Sequence, residues 1–176
     1  MKILLHTCCA PCLIYPLEIL RENNFTVVSY FYNPNIHSYA EFEKRRQAVD
    51  SFAGNEKIDA VFPPYNPIEF FHAVYQKEIG KERCSICWRL RLNKTALAAK
   101  ALGFEYFTTT MLVSPYQSQE MLKEIGEDIG RKEQVKFFYE DFRPGFRKSH
   151  DQAKAKGIYC QKYCGCIFSE IETCKK

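Results

Sequence analysis

Ile3-Leu4-Leu5-His6-Thr7-Cys8-Cys9-Ala10-Pro11-Cys12 sets a short apolar run directly against three thiols and a proline. Ile3–His6 has the length and composition of a buried strand, and Thr7–Cys12 reads as the loop that leaves it. Leu13, Leu17 and Leu20 then recur at helical spacing with Glu18, Arg21 and Glu22 between them, so Leu13–Glu22 reads as a helix. Strand, loop and helix in that order are the opening unit of an α/β domain.

The same alternation continues along the chain. Phe25–Tyr32 is rich in Val, Phe, Tyr and Thr and suits a strand, broken by Asn33-Pro34-Asn35. Ser38–Phe52 reads as a helix with Ser38 as N-cap and Glu41 three residues on. Ile58–Phe62 is a third strand stopped by Pro63-Pro64, and Pro67–Gln76 a short helix. Arg83–Leu102 is the clearest helix, with Gly103 as its stop. Tyr106–Thr110 is a fourth strand, Gln117–Ile129 a helix up to Gly130, Val135–Tyr139 a fifth strand, and Lys148–Lys156 a last helix before a cysteine-dense tail. We expect one α/β domain over residues 1–176, a mostly parallel sheet flanked by helices, with a cysteine-rich C-terminal segment.

Composition narrows the function. Hydrophobic residues make up 46% and charged residues 26% of the 176, which excludes a disordered or fibrous chain. No run reaches the ~18 apolar residues of a membrane span, and the first cysteine pair comes too soon after Met1 for a signal peptide, so the expected compartment is the cytoplasm and no membrane partner is expected. Nine cysteines cannot all pair within the chain, and clustered thiols in a reducing compartment point to metal ligation or redox chemistry. A net charge of +4 permits a nucleic-acid partner without requiring one.

Three thiol groups stand out. Cys8, Cys9 and Cys12 follow the first strand, where ligands collect in open α/β sheets. Cys84 and Cys87 lie three apart at the start of the long helix and share a face, which fits half a zinc site or a thioredoxin-like pair. Cys164 and Cys166 flank one glycine, a spacing that closes a tight and easily reduced disulfide ring or serves as a further metal half-site. Zinc and iron–sulfur centres both take four thiolates, and spacing alone does not separate them. Cys174 reads as a solvated bystander. His6, inside a strand, reads as a packed core histidine.

Polar residues after the other strands reach the same rim: Asn33 and Asn35, then Ser114, Tyr116 and Gln117. Basic residues interleave with aromatics at Arg83–Arg91, at Asp141–Lys148 including Arg143, and at Lys154–Lys162, a mixture suited to RNA through phosphate contacts and base stacking.

Six motifs in one order, H-T-C-C-A-P-C at 6–12, F-Y-N-P-N-I-H at 31–37, C-S-I-C-W-R-L-R-L at 84–92, F-T-T-T-M-L-V-S-P-Y-Q at 107–117, D-F-R-P-G-F at 141–146 and Y-C-G-C-I-F-S at 163–169, resemble the QueH-type epoxyqueuosine reductases over essentially the whole chain. The resemblance implies a PP-loop-like fold and the last step of tRNA queuosine biosynthesis, the two-electron reduction of epoxyqueuosine in tRNA, without cobalamin. It implies a 4Fe–4S cluster on Cys8, Cys9, Cys84 and Cys87 and a further iron beside it, for which Cys12 is the candidate ligand. Cys164 and Cys166 take the place of a redox-active disulfide, and Cys160 has no assigned role. ATP use is disfavoured, because the loop after the first strand has no glycine and carries thiols where a phosphate loop needs free backbone N–H groups. The chemistry also needs an electron donor, which the sequence does not name, and a proton donor, for which Tyr32, Tyr116 and Asp141 are candidates. Two other readings remain: a zinc-stabilised RNA-binding module, and a thiol–disulfide oxidoreductase acting on proteins.

Overall fold

The structure, a computed structural model, describes residues 1–174. Five strands form one sheet: β1 (Lys2–His6), β2 (Thr26–Tyr30), β3 (Asp59–Val61), β4 (Tyr106–Thr109) and β5 (Lys136–Phe137). Their order is β3-β2-β1-β4-β5 and every pair is parallel. Parallel neighbours require crossovers, which the helices provide: α1 (Ala10–Glu22), α2 (Tyr39–Glu56), α3 (Pro67–Val74), α4 (Lys81–Ala101) and α5 (Gln119–Glu133). Two further helices, α6 (Phe146–Ala155) and α7 (Ile167–Cys174), follow the sheet.

β1 is central. Ile3, Leu4 and Leu5 are fully buried, as a strand covered on both faces must be. Its register sets His6 beside Tyr30 of β2 and Thr109 of β4. The core around it joins Leu13, Leu17 and Leu20 of α1 to Leu92, Ala96 and Ala99 of α4 and to Phe107 of β4.

Several expected boundaries move, each for a local reason. α1 starts at Ala10 rather than Leu13, because Pro11 sits in its first turn, where its missing N–H has no cost. α2 runs on to Glu56 and stops at Lys57, which adopts the left-handed conformation. Gly130 does not end α5. It lies inside the helix because a Cβ there would come within 2.8 Å of the Val135 carbonyl, so this glycine serves the close approach of α5 to β5. Gly103 does stop α4, at φ 73°. β5 keeps only two residues, and α7 was not anticipated at all. Among the described residues no helix is long and apolar enough to cross a membrane.

Candidate metal and redox centre

The strand order reverses between β1 and β4, and their carboxyl ends open the crevice where parallel sheets bind ligands. The chain leaves β1 through Thr7-Cys8-Cys9 and leaves β4 through Thr110. The two exits are tied together, because the Cys8 N–H donates to Thr110 Oγ1 at 3.1 Å while that hydroxyl lies 3.2 Å from the Cys8 sulfur. Asn33, beyond β2, donates from Nδ2 to the Thr7 carbonyl at 2.9 Å and pins the same turn.

Cys9 is the N-cap of α1, in extended conformation, and Cys12 is in the helix's first turn. This start folds Cys12 back over the loop, and the sulfurs of Cys8, Cys9 and Cys12 lie within 4.8 Å of one another. Cys8 and Cys9 are 3.8 Å apart at sulfur. Gln161, from the tail, donates from Nε2 to the Cys9 sulfur at 2.9 Å. Hydrogen bonds from Cys12 and Cys9 hold the Cys8 thiol well below its ordinary pKa, while burial raises Cys9 and the bond to Cys8 raises Cys12. One thiol pulled down while its two neighbours are pushed up is the pattern of three thiols competing for one small volume. The donor set is soft and mostly buried, and it fits a thiophilic metal. Among the described residues no fourth ligand atom joins this group.

The remaining candidate thiols form a second group. Cys84 and Cys87 lie on α4, and Cys87 shares a small buried cluster with Cys166, Phe70 and Val74. Burial pushes the Cys87 thiol up to about 11 and raises Cys84, and both feel the charge of Cys164. Cys164 and Cys166 are free thiols, the first exposed and the second buried. A hydrogen bond from Cys166 lowers Cys164 and raises its own pKa in turn. The structure thus sets Cys84 and Cys87 beside the Cys164–Cys166 pair, and Cys12 with Cys8 and Cys9.

Buried Arg45 fixes the tail, donating to the Tyr163 and Cys164 carbonyls at 3.1 Å each and pairing with Glu41 at 2.8 Å. The His37 N–H donates to the Gly165 carbonyl at 2.8 Å, and the Ile167 N–H donates to His37 Nδ1 at 3.3 Å. Gly165 has φ 108°, and a Cβ there would meet Ile36 at 2.8 Å, so both conformation and space demand glycine.

His6 is a core histidine as expected, with Nδ1 2.9 Å from Thr109 Oγ1 and Nε2 3.1 Å from the Tyr32 carbonyl. Burial, reinforced by Arg91, pushes its pKa down to about 3, so the ring is neutral. Tyr32 is buried and donates its hydroxyl to Glu69, and Asn35 is buried with an unpartnered Oδ1.

The later candidates serve their own turns. Ser114 Oγ accepts from the Tyr116 N–H at 3.3 Å, the Gln117 N–H reaches the Ser114 carbonyl at 3.4 Å, and Tyr116 is 84% exposed with its ring edge-on to Phe146. Asp141 caps and pairs with Arg143, its Oδ1 2.8 Å from Arg143 Nε. Cys174 is exposed, and Cys160 donates to the Ile158 carbonyl at 3.4 Å. Sequence reasoning missed Gln161 and Arg45. Neither carried a signal, since a lone glutamine in a tail and an arginine in an amphipathic helix read as solvated.

A model of the family "Epoxyqueuosine reductase QueH" matches residues 3–172. The chain belongs to the QueH family. Among its relatives, the epoxyqueuosine reductase QueH of Thermotoga maritima is 38% identical over 99% of this chain and 93% of its own length. That of Dehalococcoides mccartyi is 36% identical over 97% of this chain and 93% of the relative. The QueH family resemblance in the motifs is therefore shown, and with it an oxidoreductase rather than an RNA-binding module without catalysis. A predicted subunit of a tRNA methyltransferase from Methanocaldococcus jannaschii superposes with a TM-score of 0.55 at 8% identity, over 88% of this chain and 76% of that one. That likeness speaks for the fold alone.

Proposed function

We propose that this chain reduces epoxyqueuosine in tRNA to queuosine, the last step of queuosine biosynthesis, at a metal centre held by the switch-point thiols. The observation that carries the reading is the convergence of Cys8, Cys9 and Cys12 where the strand order reverses, in a chain that matches the QueH family along residues 3–172.

The soft thiol donors suit an iron–sulfur centre that bridges the Cys8–Cys9–Cys12 group and the separate Cys84–Cys87 pair. Cys8, Cys9, Cys84 and Cys87 would hold a 4Fe–4S cluster, and Cys12 an additional iron. When bound, such a centre supplies electrons and a Lewis-acidic iron for the epoxide oxygen. The chain's own residues do the rest. Thr110 and Gln161 orient the Cys8 and Cys9 sulfurs through their hydrogen bonds. Burial of Cys9, Cys12 and Cys87 keeps water from the thiols.

Removing the epoxide oxygen takes up two electrons and two protons and releases water, leaving a cyclopentene. Oxidation of the Cys164 and Cys166 thiols to a disulfide yields that same number of electrons and protons. Exposed Cys164, with its lowered pKa, is the sulfur open to an external thiol or protein donor that restores the pair. Tyr32, buried and hydrogen-bonded to Glu69, is our candidate for the proton donor. Arg83, Trp88 and Arg91 of α4 are buried and leave the RNA-facing role to exposed cations, Arg89 and Lys94 of α4 and those of the segment from Arg143 to Lys162, which would contact the tRNA.

Expression in a bacterial strain that accumulates epoxyqueuosine in its tRNA tests the reading. Queuosine should replace epoxyqueuosine in the digested tRNA. Unchanged epoxyqueuosine with the protein expressed and iron-loaded would remove it.

A further inference from the structure

Three arginines are buried in this chain, and two of them have a carboxylate. Arg45 pairs with Glu41 and Arg83 with Glu172, each at 2.8 Å. Arg91, 6% exposed, has none among the described residues. Its guanidinium donates from one terminal nitrogen to Asn33 Oδ1 at 2.7 Å and from Nε to His6 Nε2 at 3.3 Å. An amide and an imidazole carry no negative charge. A permanent cation withdrawn from water costs several kcal/mol unless an anion compensates it.

The thiol groups are the groups near Arg91 that can carry such a charge. Arg91 lies on α4 one turn beyond Cys87 and two beyond Cys84, so the three share a helix face. Its partners Asn33 and His6 lead to the Cys8 turn, Asn33 through the Thr7 carbonyl and His6 through adjacency in the chain. Its charge acts on Cys8, Cys87 and Cys164, residues from both thiol groups.

We propose that Arg91 is the fixed counter-cation of the thiol-held centre, a positioning residue that balances its negative charge and raises its reduction potential. The inference rests on the metal-centre reading above. A cation beside a redox centre favours the form with the extra electron, so its removal makes reduction harder. Low dielectric around the buried guanidinium strengthens the effect.

The test uses the full chain reconstituted anaerobically with ferrous iron and sulfide. Iron per chain, thermal midpoint and the potential of the one-electron couple in a dye-mediated titration are measured for the wild type, Arg91→Gln and Arg91→Lys. Arg91→Gln should bind iron and shift the couple negative by at least tenfold in the reduction equilibrium, about 59 mV. Arg91→Lys, which keeps the charge but not the two-sided hydrogen bonding, should hold the wild-type potential at a lower thermal midpoint.

A wild-type potential in iron-loaded Arg91→Gln overturns the proposal. Weaker tRNA binding by Arg91→Gln at unchanged potential does the same, assigning Arg91 to a phosphate. If Arg91→Gln does not fold, Arg91→Lys decides alone: the wild-type potential supports the proposal, and a negative shift or loss of iron overturns it. Wild-type protein that takes up no iron removes the metal-centre reading itself, and the inference with it.

Discussion

Thr110 Oγ1 lies 3.1 Å from the Cys8 nitrogen and 3.2 Å from the Cys8 sulfur, so one hydroxyl ties the exits of two central strands to the thiol group between them. The hydroxyl accepts from the backbone and donates to the sulfur, which supports the thiolate form of Cys8.

Thr110→Val keeps the shape of that side chain and removes both bonds. The Cys8 N–H loses its partner, at a cost of ~1–3 kcal/mol. Urea unfolding of the metal-free protein should show a lower midpoint at unchanged slope. An unchanged midpoint would mean that the strand exits are held by other contacts.

Arg45→Met strands the Tyr163 and Cys164 carbonyls and leaves Glu41 without its cation. Breaking a buried pair by removing one partner costs ~3–5 kcal/mol. Part of that cost should appear locally, as faster alkylation of Cys166 by iodoacetamide. Wild-type alkylation rates would show that the Cys164–Cys166 loop holds its shape without Arg45.

Cys164→Ser and Cys166→Ser separate ligation from electron storage. Each should retain the iron and its visible absorbance and lose multiple-turnover conversion of epoxyqueuosine tRNA. Bleached spectra would move both cysteines into the metal site, where Cys166 already packs against Cys87.

Acid should loosen the docking of the tail through His37. Burial lowers the pKa of this ring from 6.5, so the folded chain holds it neutral, with Nδ1 accepting from the Ile167 N–H. Above pH 6.5 the ring is neutral in the folded and unfolded chains alike. As pH falls below 6.5 the unfolded chain takes up the proton first, and stability falls until the folded pKa is passed. Thermal midpoints between pH 7.5 and 5 should drop less for His37→Gln than for the wild type. Parallel curves would place the pH dependence elsewhere, in His6 first.

The α/β alternation was legible because Ile3–His6 is a compact apolar run, Tyr106–Thr110 is a run of aromatic and β-branched residues, and Arg83–Leu102 is a long helix former with a glycine stop. Gly130 misled, since a glycine that makes room for a neighbouring strand looks the same in sequence as one that ends a helix. α7 was missed because eight residues do not establish a helical period. The cysteines announced the site and Cys8, Cys9 and Cys12 were legible as one group, but the packing of Cys87 against Cys166 was not, because it depends on how the tail folds back on α4. Arg91 was invisible as anything but an RNA-facing charge, because burial is a property of the packed helix and not of its sequence.

The central claim, that the switch-point thiols hold the centre that reduces the nucleoside, is tested most directly by nucleoside analysis of epoxyqueuosine tRNA incubated anaerobically with iron-loaded and with metal-free protein under the same reductant. The account predicts queuosine from the loaded protein and untouched epoxyqueuosine from the metal-free one. Equal conversion by both, or none by the loaded protein, would contradict it.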